Sequence, residues 1–256
     1  MAARLKYVWP PLLVAAVGLL TWQLIVVLFQ IKPYLLPAPS AIWTEFTKNI
    51  SLMWGTALYT ATNAFYGLVL GSIVGIVMAL IAQRFSFIRN LTLPLAAGLA
   101  AVPIVALTPI LNNMFNITSR TPRVLITMIV VFFPMFVNVM RGLVQVSPTQ
   151  IELMRSLSAS PRTILRVVRI PNAIPFAFTG LRIAAPLAVI AALVSEYFGG
   201  PQEGLGSRIA SSAANSAYGR AWAYVVAAII TGLVFYFIAL GLERLTARWT
   251  GRARSV

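Results

Sequence analysis

The chain has 256 residues, of which 59% are hydrophobic and 10% charged, with a mean hydropathy of +0.86. Soluble domains carry about 25% charged residues, so this composition belongs to an all-α integral membrane protein. Cys, His and Asp are absent and the acidic residues are Glu45, Glu152, Glu196, Glu203 and Glu243, which excludes disulfides, a Ser-His-Asp triad, a His- or Cys-based zinc site and an Asp-held magnesium site.

The formal charge of +15 would suggest nucleic acid on a soluble chain. Here it reads as the arginine excess of cytoplasmic loops beside anionic membrane lipid, and no nucleic-acid partner is expected. The chain holds no phosphate-cradling P-loop, so no cofactor is expected on it. If ATP drives its work, ATP and Mg sit on a partner chain.

Arg4 and Lys6 precede an apolar run over 9–31. That run exceeds the apolar core of a signal peptide, about 7–15 residues, and is read as a retained first span. A second span is predicted over about 56–82, containing Gly67, Gly71 and Gly75 at four-residue spacing. Such a stripe lets helices approach closely, either within one chain or between subunits. Between these spans Ile42, Phe46 and Ile50 recur at helical spacing, which predicts a short helix in the outer interface.

A third span over about 91–112 carries Pro94, Pro103 and Pro109 and ends at Asn112 and Asn113, which either cap the helix or face a pathway. A fourth, about 123–144, contains Pro134. A fifth and sixth follow over about 173–198 and 221–245, joined by a Gly/Ser/Ala-rich external loop with a short helix. Six spans with the N-terminus inside place most of the 20 basic residues in the cytoplasm, including Arg84, Arg89, Arg141, Arg182 and the C-terminal arginines. Lys32, Lys48, Arg120, Arg123, Arg208 and Arg220 fall outside. Both termini are therefore expected in the cytoplasm. The organisation reads as an N-terminal span with an external segment (1–55), a core (56–250) and a basic tail (251–256).

The loop between the fourth and fifth spans contains RSLSASPRTILRVVRIP, from Arg155 to Pro171. Ser147-Pro148-Thr149-Gln150 has the form of a capping box with proline at the first helical position, and Ser160-Pro161 repeats the start. Pro171 is expected to end the second helix. A two-helix cytoplasmic hairpin over 148–170 follows, with helices at about 148–157 and 161–170 and a bend at Ser158-Ala159. Glu152 and Arg155 lie one turn apart and can pair, and Arg162, Arg166 and Arg169 share a face. A plain positive-inside loop on lipid headgroups explains the arginines but not the two helix starts and the bend. A hairpin shaped for a groove on a partner explains both.

This loop resembles the signature of ABC-importer permeases: a glutamate and two alanines, a glycine four residues on, an Ile/Leu-Pro and a Gly-Leu-Arg. Glu152, Ile170-Pro171, Pro175 and Gly180-Leu181-Arg182 match it. Leu153 and Met154 replace the alanines, and Ser158 replaces the glycine. Together with LPAPSAIW, GLGSRIA and RLTARW, most of 35–249 resembles the nitrate/sulfonate/taurine branch. MRSLSAS and EYFGG resemble the subgroup linked to thiamine pyrimidines or riboflavin.

The resemblance implies a bacterial inner-membrane homodimer with two ATP-binding subunits, fed by an external solute-binding protein and working by alternating access. It implies ATPase coupling through Glu152, Arg155, Leu157, Ser158, Ala159, Ser160, Arg162 and Arg166. Ser158 then implies either a different bend or a serine in strained backbone. Asn63, Asn138, Ser195 and Glu196 are candidate polar positions of a pathway between two copies. Glu196 either serves a gate or docking contact, or faces water or pairs with Arg208. An ion-coupled secondary transporter is the rival reading, though no carboxylate falls at the centre of a span. A membrane enzyme lacks a catalytic set, and a scaffold is the remaining alternative.

Overall fold

The computed structural model of the chain describes residues 2–85, 87, 94, 98 and 103–249. Arg89, most of 91–102 in the predicted third span and the tail 251–256 lie outside the described residues. The described residues form helices only. They are α1 (Ala2–Leu28), α2 (Pro39–Lys48), α3 (Ile50–Arg84), α4 (Ile104–Phe115), α5 (Thr121–Val144), α6 (Pro148–Ser156), α7 (Pro161–Ile164), α8 (Ile170–Tyr197), α9 (Leu205–Ala214) and α10 (Tyr218–Trp249).

Among the described residues, five helical runs are long and apolar enough to cross a membrane: Trp9–Leu28, Ile50–Arg84, Thr121–Val144, Pro161–Tyr197 and Tyr218–Thr246. In the predicted third span the described helix is α4, whose 12 residues span about 18 Å. A hydrocarbon core of about 30 Å needs more than that. α4 runs past Asn112 and Asn113 to Phe115, so neither asparagine is its terminal cap.

Lipid tails are as apolar as leucine, so helices associate in a bilayer through close packing. The central helices are built for this. Gly67, Gly71 and Gly75 face α5, where a Cβ on Gly71 would lie 2.8 Å from Val131 and one on Gly75 2.8 Å from Met135. The glycine stripe thus serves packing within the chain. α8 contributes Ala184, Ala185, Ala188 and Ala192, packed with Ala64, Leu68, Val131 and Met135. Gly180 makes room for Asn138 on α5, at 3.1 Å from the position of a Cβ. α1 stands largely apart: Leu12, Val14, Leu20 and Leu28 are exposed. It is tied by Gln23 to Ser40, through bonds of 3.1 Å, and by Trp22 against Trp222.

α2 forms where Ile42 and Phe46 were expected to line a short helix. Ile42 packs with Met53, Leu205, Ala223 and Tyr224 and so joins α2 to α3, α9 and α10. An ion pair between Glu45 and Arg220, 3.4 Å apart, closes the same end of the bundle.

The loop from 148 departs from its predicted form at its second helix. Pro171 does not end a helix, because the chain is helical without interruption from Pro161 to Tyr197. Leu165–Arg169 is a π-helical turn, in which the Ile170 amide reaches back to the Leu165 carbonyl. The wider turn takes up the missing amide and bulky ring of Pro171 where an α-helical ladder would clash.

Candidate functional site

The protruding loop is built around one turn. α6 starts at Ser147-Pro148, but the Ser147 side chain makes no capping bond, so the expected capping box does not form. α7 starts at Ser160, whose hydroxyl accepts the Thr163 amide at 3.2 Å. Between them Ser158 has φ +54°. Its amide donates to the Arg155 carbonyl and the Ala159 amide to the Met154 carbonyl, each at 2.9 Å. This is a Schellman motif, which calls for a left-handed residue at the position Ser158 fills. The serine therefore adopts the conformation that a glycine would take freely, at a cost of about 1 kcal/mol. Of the two implied outcomes, the structure shows the strained serine. Ser216 repeats the device after α9 with φ +57°.

The turn leaves Glu152, Arg155, Leu157, Ser158, Ser160, Arg162 and Arg166 exposed and Ala159 half-buried. Leu157 is 70% exposed, with Leu153 at 59% and Val167 at 61% beside the cations in sequence. No ion pair joins Glu152 to Arg155 among the described residues. The π-turn also separates the arginine face. Arg162 and Arg166 remain in the open, whereas Arg169 turns inward and donates to the Leu143 carbonyl at 3.4 Å.

The base of the loop is stapled to the bundle. Asn172 donates to the Gly142 carbonyl at 2.7 Å and to the Gln145 carbonyl at 2.9 Å. With Arg169 it satisfies carbonyls that the end of α5 would leave without intrahelical partners. A Cβ on Gly142 would lie 2.7 Å from the Ala173 backbone, so the ends of α5 and α8 sit in direct contact. Asn172 was not singled out from the sequence, because its value lies in carbonyls 27 and 30 residues away.

At the opposite end of the bundle Asn63, Ser195 and Glu196 all lie in the interior, each no more than 1% exposed; Asn63 meets Glu196, while the Ser195 hydroxyl has no hydrogen-bond partner among the described residues. Glu196 neither faces water nor pairs with Arg208. Its carboxylate accepts the Thr60 hydroxyl at 2.7 Å, the Asn63 amide at 3.0 Å and the Gly206 backbone N–H at 3.2 Å. Thr60 also accepts the Leu205 amide at 2.9 Å. One carboxylate thus clasps α3, α8 and the start of α9. A Cβ on Gly204 would overlap this carboxylate and one on Gly206 would overlap the Leu193 carbonyl, so the glycines of GLGS permit the approach. Asn138 does not join the group. It is half-buried and donates to the Pro134 carbonyl at 2.8 Å.

Arg123, expected in an external loop, is 1% exposed. Its guanidinium donates to the Ser119 carbonyl, to the Ile117 carbonyl at 2.9 Å and to the Gly199 carbonyl at 3.0 Å. It binds the loop before α5 to the loop after α8. A second pair was also missed. Arg182 of the Gly-Leu-Arg motif meets Glu243 at 2.9 Å, and Thr179 donates to the same carboxylate at 2.7 Å, bracing α8 against α10. Among the described residues no cluster of His, Cys, Asp or Glu could hold a metal ion.

Comparison with known proteins agrees with this architecture. The family model described as the binding-protein-dependent transport system inner membrane component matches residues 67–252. The formylaminopyrimidine transport permease ThiX of Halalkalibacterium halodurans is 33% identical over 176 residues, covering 68% of this chain and 70% of that protein. The riboflavin transport system permease RibX of Chloroflexus aurantiacus is 28% identical over 251 residues, 95% of this chain and 92% of that protein. Permeases named for aliphatic sulfonates, taurine and nitrate also align. The crystal structure of an amino acid ABC transporter with histidines shares the fold, with a TM-score of 0.60 at 18% identity over 80% of this chain and 96% of that one. The chain is a multi-pass membrane protein that belongs to the binding-protein-dependent inner-membrane transport components, nitrate/sulfonate/taurine branch: a non-catalytic permease subunit of an ABC importer of small solutes.

Proposed function

We propose that two copies of this chain form the translocation unit in a bacterial cytoplasmic membrane, with both termini and the 148–170 loop in the cytoplasm. Two ATPase subunits, which carry ATP and Mg, receive the loop in a cleft, and an external solute-binding protein delivers the solute. The observation that carries this reading is the Ser158 turn. It displays Leu157, 70% exposed, on a capped, stapled loop whose arginines have no carboxylate partner among the described residues. An apolar anchor flanked in sequence by unpaired cations suits a hydrophobic groove with an acidic rim.

Closure of the ATPases on ATP would draw the two loops together. The staples at Asn172 and Arg169 would carry that motion into α5 and α8 as rigid bodies, switching the pathway between its inward- and outward-facing forms. Asn63, Ser195 and Glu196 act in this scheme as the hinge clasp of the outer gate. The similarity to the formylaminopyrimidine and riboflavin permeases supports a small polar or heterocyclic solute.

The test is reconstitution of the chain with its ATPase in liposomes, with the binding protein and solute outside. Uptake is expected to need ATP and to ignore ion gradients. Glu152→Ala with Arg162→Glu is expected to abolish ATPase association while leaving the permease folded. ATP-driven uptake at the wild-type rate in that double variant removes the loop from the mechanism.

A further inference from the structure

A cleft of about 670 Å³ opens between the end of α2, the start of α3 and the start of α9, at the end of the bundle away from the 148–170 loop. Its walls include Lys48, Ser51, Thr56, Tyr59, Glu203 and Arg208. The Arg208 Nε is fully buried and has no hydrogen-bond partner among the described residues. Neither Lys48 nor Arg208 forms an ion pair among them. The Tyr59 ring on the wall is itself covered by the Arg120 guanidinium, 4.6 Å from its centroid.

Two of the carboxylates at this end of the bundle are committed elsewhere. Glu45 is held by Arg220 and Asn49, and Glu196 is enclosed by Thr60, Asn63 and Gly206. Glu203 alone remains on the wall, exposed and without an ion pair among the described residues. A buried guanidinium nitrogen without an acceptor is costly, and natural structures satisfy such groups with protein, water or an ion.

We propose that this cleft is an oxyanion-binding site. It takes one carboxylate, sulfonate or phosphate group, with the planar fork of Arg208 as the primary donor and Lys48 as a second positive charge. The same chemistry serves the anionic group of an organic solute entering the permease or the headgroup of an acidic phospholipid at the rim of the bundle.

The experiment uses the permease with its ATPase in lipid nanodiscs, read by thermal melting. Methanesulfonate and inorganic phosphate are titrated in phosphatidylcholine discs, and a parallel series replaces phosphatidylcholine with phosphatidylglycerol. At least one series is expected to raise the melting midpoint of the wild type. R208Q is expected to shift the half-saturating concentration about tenfold and K48Q by less, because the bidentate contact outweighs the point charge. A response to the soluble anions assigns the site to a solute, and a response to phosphatidylglycerol alone assigns it to lipid. K48Q changes a side chain at a helix end on the cleft wall and guards against misfolding of R208Q. No response in any series, or a full response retained by both variants, overturns the proposal. ATP-driven uptake by the same preparation separates that failure from failure of the permease reading itself.

Discussion

The two ends of the bundle treat charge in opposite ways. At the α9 end, Glu196 and Arg123 are each 1% exposed and each is surrounded by polar partners from distant segments. At the α6–α7 end, Glu152, Arg155, Arg162 and Arg166 stand in the open beside exposed leucines and bond to none of one another. The Glu196 carboxylate and the Arg123 guanidinium find their hydrogen-bond partners within one chain. The α6–α7 end spends conformational freedom on a capped, left-handed turn and uses none of its charges internally. A segment that is ordered but unsatisfied has its energetic return in a complex. On the proposed function, the contrast separates what holds the permease together from what it would offer to another subunit.

Substitutions at the two ends should therefore split stability from coupling. The largest loss is expected for Gly206→Ala, whose Cβ would overlap the Leu193 carbonyl, a backbone atom that cannot move aside. We expect a destabilisation of about 3 kcal/mol or more, read as a collapse of the monodisperse peak after mild heating in detergent. Glu196→Ala comes next. It leaves the Thr60, Asn63 and Gly206 donors without their acceptor, at about 3 kcal/mol in chemical unfolding. If Glu196→Ala melts like the wild type, the clasp is not what closes this end.

Asn172→Ala is expected to cost about 1–2 kcal/mol by releasing the Gly142 and Gln145 carbonyls. It should also lower the ratio of solute moved to ATP hydrolysed, because the loop would no longer be pinned to α5. Ser158→Gly should stabilise the turn by about 0.5–1 kcal/mol, since glycine holds φ +54° without strain, and hydrogen exchange at the Ala159 amide would report it. Leu157→Asp should change stability least, within about 0.5 kcal/mol, because the side chain is 70% exposed. Its effect should appear as lost ATPase association in a pull-down. A drop in stability with association intact would reverse the contrast drawn between the ends.

Much of the loop was legible because its signals are local. Ser-Pro pairs start helices through the fixed φ of proline, joined at Ser160 by a capping hydroxyl, and α6 and α7 begin where those pairs stand. Pro171 misled for the same reason. A local rule makes proline a terminator, but the π-turn at Leu165–Arg169 lets the helix run on. Asn63, Ser195 and Glu196 could be picked out as polar residues in apolar surroundings. The contact of Asn63 with Glu196, and the exclusion of Asn138, could not, since Asn63 and Glu196 are 133 residues apart.

By itself the sequence determined the membrane class, the glycine stripe along which a helix could close, and the cationic loop with its two helix starts. Each depends on composition or on spacing within a few turns, where chain connectivity fixes the geometry. Only the tertiary structure decided that Ser158 takes the left-handed angle of the glycine it replaces, that Arg169 turns inward while Arg166 stays out, and that Glu196 is a clasp rather than a solvent-facing charge. Those outcomes depend on which donors and acceptors from distant helices meet in the same space. In a chain with five carboxylates, that meeting also decides which cations are left unpaired.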